Sequence, residues 1–303
     1  MYAVVAQDLS KVYGKEKMIA VDRVSFSVSS GELFGLIGPD GAGKTSIFRM
    51  LTTLLLPDRG AGTVAGFDIV KDYRNIRNSV GYMPGKFSLY PDLTVQENLN
   101  FFATLFGTSI DENYHLIKDI YIQIERFKDR RAGKLSGGMK QKLALCCALI
   151  HKPRVLFLDE PTTGVDPVSR KEFWEMLKRL KKEGITIVVS TPYMDEATLC
   201  DRIALIQSGK ILSIDTPEKI IGSYPDPLYA VKATTMFSLL KTLNNYENTV
   251  ESYAYGEYAH ASFNGGTNLS EVTEYLRTAG LTDVELHPIQ PTIEDCFIKL
   301  LRK

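Results

Sequence analysis

Cysteine is scarce in this chain of 303 residues, and no two cysteines are spaced like a metal-binding or redox pair. The four that occur are Cys146, Cys147, Cys200 and Cys296, and the adjacent pair lies in an apolar run. Small secreted domains and zinc modules depend on several cysteines at regular spacing, so the count argues against both classes. We expect these side chains to be buried as small hydrophobic groups.

Long apolar runs and an excess of one charge are also missing. No stretch reaches the roughly 18 apolar residues that a membrane helix needs, and residues 1–7 lack the basic stretch and apolar core of a signal peptide. Lys and Arg together number 36, as do Asp and Glu, so the chain lacks the overall basic character that nucleic acid binding favours. We therefore expect a cytoplasmic protein that reaches a membrane only through another chain.

The remaining pattern predicts two domains of ordinary globular composition. Short apolar segments, such as 33–37 and 154–158, alternate with helical patterns such as 44–55, which predicts an α/β domain with a parallel sheet. Asp92, Thr94 and Asp111 are predicted helix caps. A cluster of proline and glycine near residue 222 indicates a boundary, and residues 223–303 follow the strand and helix order of a ferredoxin-like α+β fold.

The strongest motif is a loop that fits G-x-x-x-x-G-K-[ST] at every position. Its residues are Gly38, Pro39, Asp40, Gly41, Ala42, Gly43, Lys44 and Thr45. The loop follows a predicted strand and precedes a predicted helix, so backbone amides and the helix N-terminus can cradle phosphates. We predict that Lys44 reaches the β- and γ-phosphates, that Thr45 holds Mg²⁺, and that Ser46 reaches the α-phosphate.

Two carboxylates end a second buried strand. Asp159 and Glu160 follow the apolar residues 155–158, and ligands of open α/β sheets bind at the carboxyl ends of strands. We predict that Asp159 holds Mg²⁺ through its coordination shell and that Glu160 is the general base that polarises the attacking water.

A third motif, Leu135 followed by Ser136, Gly137 and Gly138, precedes an apolar helix. Ser136 can cap that helix, and the glycines leave backbone amides uncovered for an anion. Taken alone, an ordinary capped helix explains the pattern. Together with the phosphate loop, it resembles the LSGG signature of ATP-binding cassette (ABC) ATPases, and Ser136 lies 23 residues before Asp159 as in that family.

The resemblance to ABC ATPases covers most of residues 1–222. It implies a P-loop NTPase with a RecA-like core, an N-terminal antiparallel β subdomain and a helical subdomain at about 86–134 that docks on membrane subunits. It implies ATP and Mg²⁺ as ligands, Tyr13 as the aromatic residue that stacks on adenine, and residues 164–167 as the D-loop. Residues 223–303 resemble the C-terminal extension of the drug- and antibiotic-exporter-like branch, whose membrane partners are of the ABC-2 type.

The resemblance also implies a second cassette as partner. In this family two cassettes dimerise head to tail, so that each ATP lies between the phosphate loop of one and the signature of the other. The expected role is the energy-coupling subunit of an exporter, peripheral on the cytoplasmic face of the membrane. Neither the transported substrate nor the identity of the second cassette can be read from these motifs.

Two positions depart from the family pattern. Gly85 stands where the family carries a Gln that reaches Mg²⁺ and water, and Pro192 stands where it carries a switch His. Orienting and acid–base groups of this kind are worth about 10²–10⁴ in rate. One hypothesis is therefore a degenerate site that binds ATP but hydrolyses it slowly, in a heterodimer. The alternative is that Lys86 or a neighbour compensates and a homodimer turns over normally.

A different class of function remains as an alternative, a cytosolic ABC-type ATPase that acts on nucleic acid or ribosomes. Members of that kind usually carry two cassettes joined by a charged linker, or long coiled coils, and this sequence has neither. Nucleotide kinases and small GTPases would explain the phosphate loop but not the LSGG motif, and no N-K-x-D motif for guanine occurs. We therefore expect no nucleic acid partner.

Overall fold

The computed structural model describes residues 1–14 and 16–302, and its strands form three β-sheets. Contacts divide the chain into two units, Met1–Ile220 and Ile221–Lys303, each with its own hydrophobic core. Residue 303, the last residue of the predicted C-terminal domain, lies outside the described residues.

Ten strands and seven α-helices occur in the described chain up to residue 222. The strands are β1 (Tyr2–Tyr13), β2 (Met18–Ser29), β3 (Leu33–Ile37), β4 (Arg59–Val64), β5 (Phe67–Asp68), β6 (Val80–Met83), β7 (Val155–Asp159), β8 (Thr186–Thr191), β9 (Arg202–Gln207) and β10 (Lys210–Asp215). The helices are α1 (Lys44–Leu51), α2 (Tyr73–Ser79), α3 (Val95–Leu105), α4 (Tyr114–Glu125), α5 (Gly137–Leu149), α6 (Pro167–Lys182) and α7 (Pro217–Gly222).

A mostly parallel sheet of six strands forms the centre of the first unit, in the order β10-β9-β3-β8-β7-β6. Only β10 runs antiparallel to its neighbour, and every residue of β3 and β7 is buried. A separate antiparallel sheet has the order β2-β1-β4-β5. The predicted fold class, an α/β core with an antiparallel β subdomain, is confirmed. Since β3 and β7 are parallel in one sheet, the loops after them leave from the same edge.

Some predicted boundaries are wrong. The helix predicted over 44–55 ends at Leu51, because Thr53 has a positive φ of 63° and the amides of the next two residues both donate to the Arg49 carbonyl. Thr94 is confirmed as a cap and forms a capping box with Glu97. Asp92 and Asp111 cap no helix, since α3 starts from Thr94 and the residue before α4 is Asn113.

The second unit has the order β-α-β-β-α-β-α. Its elements are β11 (Leu228–Lys232), α8 (Met236–Asn245), β12 (Thr249–Tyr255), β13 (Tyr258–Phe263), α9 (Leu269–Thr278), β14 (Glu285–Ile289) and α10 (Ile293–Leu301). The sheet is antiparallel in the order β12-β13-β11-β14, the split β-α-β arrangement. Apolar residues of α8 and α9, such as Leu239 and Val272, pack in its core.

The cysteines and the apolar segments were both expected, from composition, to have particular places in the structure. All four cysteines are buried and none forms a disulfide, and burial raises the pKa of each thiol. Among the residues that the structure describes, no helix has both the length and the apolar character needed to cross a membrane.

Candidate nucleotide-binding site

The loop between β3 and α1 is shaped by glycines that no other residue could replace. A Cβ on Gly38 would lie 2.1 Å from the Ile206 carbonyl oxygen. Gly43 has a φ of 102°, and a Cβ there would lie 2.3 Å from the carbonyl oxygen of Ala20. These close approaches pull the backbone into a tight curl at the carboxyl end of the sheet, which is the geometry of a phosphate cradle.

The curled loop leaves several backbone N–H groups without a hydrogen-bond acceptor, here called open amides. Among the described residues, the amides of Lys44, Thr45 and Ser46 have no hydrogen-bond acceptor, as expected for the first turn of a helix. They border a cavity of about 230 Å³ that is lined by residues 41–46 together with Met18, Ala20 and Glu160. Open amides at a helix N-terminus attract anions.

The Lys44 side chain lies almost wholly inside the protein. It is 2% exposed, and its Nζ donates to the carbonyl oxygens of Gly38 at 2.7 Å and Pro39 at 2.9 Å. The same Nζ lies 3.1 Å from Oε1 of Glu160. The structure thus brings the predicted lysine and the predicted general base together across the cavity.

Asp159 is the buried carboxylate of the site. It is 2% exposed, and Oδ1 accepts a hydrogen bond of 2.6 Å from the hydroxyl of Ser190 on β8. The Glu160 amide donates both to Oγ of Ser190 at 3.0 Å and to its carbonyl oxygen at 3.1 Å. Glu160 has a φ of 50°, an uncommon conformation for a residue with a side chain and one that concentrates at functional sites.

Sequence reasoning missed Ser190. The only signal in the sequence was its place at the end of a predicted buried strand, which becomes informative once β7 and β8 are known to be neighbours. Tyr82 is a second missed neighbour of Asp159. Burial first, and the negative charge of Asp159 second, raise the pKa of the Tyr82 phenol to about 12, so this side chain stays neutral.

Tyr13, the predicted adenine contact, lies beside the phosphate loop. Its hydroxyl is 3.1 Å from Oγ of Ser46 at the start of α1. Tyr13 pairs with Met18 between β1 and β2, and Met18 lines the cavity although Tyr13 itself does not. Asp40 is exposed within the loop.

The Ser136 motif occupies a different surface. Ser136 caps α5 by accepting from the amide of Met139 at 3.4 Å, and both Ser136 and Gly137 are exposed. Neither they nor Gly138 line the cavity around Lys44. A Cβ on Gly137 would lie 3.7 Å from the Gly164 carbonyl oxygen, so the motif borders the predicted D-loop.

Of the two atypical positions, Gly85 lies beside Asp159 and Glu160. A Cβ on Gly85 would be 3.0 Å from the Asp159 carbonyl oxygen and 3.7 Å from Cβ of Glu160. Pro192 follows Thr191, the last residue of β8, and is two residues beyond Ser190. Neither glycine nor proline offers a side-chain hydrogen-bonding group, so neither side chain can orient water or a phosphate.

The donor set fits a nucleoside triphosphate with Mg²⁺. Open amides and a buried lysine suit phosphates, and the Thr45 hydroxyl and Asp159 carboxylate are hard oxygen donors of the kind Mg²⁺ takes beside phosphate oxygens and water. Nowhere in the described chain do three or more His, Cys, Asp or Glu side chains form a metal-binding group.

Comparisons with known proteins identify the family. The ABC transporter family model matches residues 21–163. The Nod factor export ATP-binding protein I of Rhizobium sp. (strain N33) is 36% identical over 289 residues, which is 93% of this chain and 92% of that protein. The chain belongs to the ATP-binding proteins of ABC transporters. The predicted family resemblance is therefore confirmed, and the similarity extends through the C-terminal unit.

Two further proteins are similar to this cassette. "Probable multidrug ABC transporter ATP-binding protein YbhF" of Escherichia coli (strain K12) is 41% identical over 230 residues, 73% of this chain but only 39% of that protein. The chain thus spans well under half the length of that relative. A dimeric structure of the ATP-binding cassette MJ0796, bound to ADP and Pi, has a TM-score of 0.64 and 25% identity, and covers 70% of this chain and 98% of that one.

Proposed function

We propose that this chain is the ATP-binding subunit of an ABC exporter and hydrolyses ATP at a dimer interface to drive transport by separate membrane subunits. The observation that carries the proposal is the short distance, 3.1 Å, between the amino group of buried Lys44 and the carboxylate of Glu160. Both residues line a cavity that is bordered by backbone amides without an acceptor. Export is supported by the names of the relatives, which refer to Nod factor export and to a multidrug transporter.

Each site residue receives a role in this proposal. The amides of Lys44, Thr45 and Ser46 bind the phosphates together with the Lys44 side chain. Tyr13 contacts adenine, and the Ser46 hydroxyl exchanges its contact with Tyr13 for the α-phosphate. Thr45 and Asp159 would hold Mg²⁺, which would neutralise charge on the phosphates when bound. Glu160 releases Lys44 when the phosphates arrive and then polarises the attacking water.

We propose that Ser136, Gly137 and Gly138 complete a site on a second cassette. Ser136 and Gly137 are exposed, and none of the three residues lines the cavity around Lys44. Both observations support this assignment, because the start of α5 can then contact a phosphate bound to another chain. The dimeric structure of the related cassette adds support.

We propose that an apolar groove of about 500 Å³ binds a helix of an ABC-2-type membrane subunit. It is lined by the end of β6 with the residues after it, by α3 and by α5, including Met83, Leu105 and Ala144. The groove supports a location on the cytoplasmic face of a membrane, held there by a partner. The names of the relatives refer to transport and give no support to the nucleic acid alternative.

Steady-state ATP hydrolysis by the purified chain, measured beside Mg-ATP binding, tests the proposal. We expect binding together with slow turnover, because Gly85 and Pro192 lack the orienting groups. Glu160→Gln should lower the remaining turnover by about 10²–10⁴ and keep binding, whereas Lys44→Ala should weaken binding itself. No ATP binding by the unchanged protein would contradict the assignment.

The groove has its own test. Leu105 is 63% exposed at the groove, so Leu105→Glu places a charge on an apolar contact surface and should abolish co-purification of the membrane subunit, with ATP binding unchanged. Leu56→Glu is the matched control, since Leu56 is 64% exposed and lies outside the groove lining. Equal loss with both variants would argue against the groove as the docking surface.

A further inference from the structure

A strongly basic segment lies between α4 and the Ser136 motif, and none of the roles above uses it. Residues 126–134 contain five cationic side chains, namely Arg126, Lys128, Arg130, Arg131 and Lys134. Asp129 is the single carboxylate within the segment. In the part of the chain that the structure describes, none of the five cations forms a salt bridge.

Four of these cations surround an open cavity of about 460 Å³, here called the basic cavity. Its lining consists of Arg126, Phe127, Asp129, Arg130, Arg131 and Lys134. Like charges held around one hollow repel each other, and the repulsion is relieved when an anion occupies the hollow. Outside the segment, the Glu97 carboxylate accepts a hydrogen bond of 2.8 Å from the amide of Thr94.

Phe127 holds two of the guanidinium groups in place. The Arg126 guanidinium carbon lies 4.6 Å from the centre of the phenyl ring, and that of Arg130 lies 4.4 Å from it. Stacking of this kind fixes the plane of a guanidinium, which lowers the entropy cost of presenting its N–H groups to a ligand. The two arginines are therefore partly ordered before any ligand binds.

The backbone beneath the basic cavity is equally well fixed. The amides of Val95 and Gln96, at the start of α3, donate to the carbonyls of Arg130 at 3.1 Å and Lys128 at 3.0 Å. The amide of Ala132 donates to Leu93 at 2.8 Å. The segment is thus tied to the N-terminus of α3 and does not behave as a loose charged loop.

We propose that the basic cavity binds a phosphate group. Planar guanidiniums bind the oxygens of phosphate in pairs, and a cavity with several cations and one carboxylate selects a ligand that carries more than one negative oxygen. The phosphate is carried either by an anionic lipid headgroup or by a small solute. The inference stands apart from the proposed function, because no step of it involves the ATP site.

Binding is measured on the full chain carrying Lys44→Ala, which disables the phosphate loop, in about 0.15 M salt. One arm titrates inorganic phosphate by calorimetry, and the other sediments the protein with phosphatidylcholine vesicles that contain or lack phosphatidylglycerol. We expect binding in at least one arm. Binding only to phosphatidylglycerol vesicles identifies a lipid headgroup as the source, and binding of inorganic phosphate identifies a small solute.

Three variants distinguish a specific phosphate-binding site from non-specific attraction to a basic surface. Arg126→Gln with Arg130→Gln should weaken binding at least about tenfold, because two charged donors are lost. Arg74→Gln with Arg154→Gln removes the same charge from exposed positions elsewhere and should leave binding nearly unchanged. Phe127→Leu keeps every charge but removes the stacking, and should weaken binding about threefold or more.

The proposal is overturned by any of three results: no binding of either probe, an equal loss with the Arg74 and Arg154 pair, or full binding by Phe127→Leu. The last two would show diffuse attraction to a basic surface. None of these results bears on ATP binding, which is measured separately on the chain with Lys44 intact.

Discussion

Position 85 offers a direct test of the proposal that ATP turnover at this chain's own phosphate loop is slow. A Cβ there comes to 3.0 Å from the Asp159 carbonyl oxygen, so a larger side chain fits only if the backbone yields by a few tenths of an ångström. The backbone of Gly85 has no positive φ that would strain another residue. The Cβ of a glutamine at this position would therefore lie next to Asp159 and Glu160, the two carboxylate residues of the site.

We expect Gly85→Gln combined with Pro192→His to raise ATP turnover by about 10²-fold or more, because both orienting groups are restored. Turnover is measured per chain at saturating Mg-ATP. The control is Gly85→Ala with Pro192→Ala, which introduces the same Cβ crowding without a functional group and should give no increase. Unchanged turnover in the glutamine and histidine variant would favour the alternative, in which Lys86 or another neighbour already compensates.

Individual site residues were predictable from sequence to different degrees. The phosphate loop and the two carboxylates form contiguous motifs, and the structure brings Lys44 and Glu160 within 3.1 Å of each other. Ser190 could not be found in this way, because its contact with Asp159 depends on which strands are neighbours. The roles given to the site residues stay predictions until activity is measured.

At the scale of elements, strands with a strong apolar pattern were predictable and strands defined by pairing were not. Residues 33–37 form β3 as predicted, whereas β4 was missed because its sequence, Arg59–Val64, contains two glycines. Pairing with β1 makes it a strand. The helix predicted over 44–55 was too long because Leu54 and Leu55 continue the apolar pattern, although Leu54 is 56% exposed.

One buried carboxylate joins several elements next to the nucleotide site. Glu196 lies in the 3-10 turn Met194–Leu199, is 2% exposed, and accepts hydrogen bonds from Thr162 at 2.8 Å, from Arg170 at 3.1 Å and from Thr191 at 2.5 Å. These partners belong to the loop after β7, to α6 and to the end of β8. Glu196 therefore fixes the segment after Glu160 against the strand that precedes Pro192.

We expect Glu196→Ala to lower the free energy of unfolding by about 2–4 kcal/mol, because it leaves two buried hydroxyls without their acceptor and the half-buried Arg170 with only the exposed Asp195. Urea unfolding of the first unit measures the change. Asp195→Ala is the matched control, since Asp195 pairs with the same arginine but is 76% exposed, and its loss should cost at most about 1 kcal/mol. Equal effects of the two substitutions would contradict a connecting role for Glu196.

At the scale of the whole molecule, two cores imply two unfolding events. The core of the second unit includes Leu239 and Val272, and α10 is attached to its sheet through polar contacts around Asp295. Asp295 is fully buried and accepts hydrogen bonds from Tyr253 at 2.8 Å and Thr292 at 2.7 Å, with Nδ1 of His260 at 2.6 Å. This cluster is a local determinant of the second unit alone.

The charge of Asp295 gives the cluster a defined pH dependence. Burial acts to raise the pKa of this carboxyl, but hydrogen bonds from His260 and Thr292 outweigh it, so the net pKa is lowered. A lowered folded-state pKa means that the stabilisation is complete above the unfolded value of about 3.9. It is lost as the pH falls through the lower pKa of the folded state.

Calorimetry of the full chain should therefore show two transitions that respond to different changes. A nucleotide at about 100 times its Kd should stabilise only the first unit, by about 2.7 kcal/mol. Asp295→Asn should lower only the free energy of unfolding of the second unit, by about 1.5–3 kcal/mol at pH 7. This difference from the unchanged chain should shrink below pH 4. Glu294→Gln, at the exposed neighbouring position, should leave both transitions in place. A single transition that both nucleotide and Asp295→Asn displace would show that the units unfold together, and the two cores would then have to be treated as one cooperative structure.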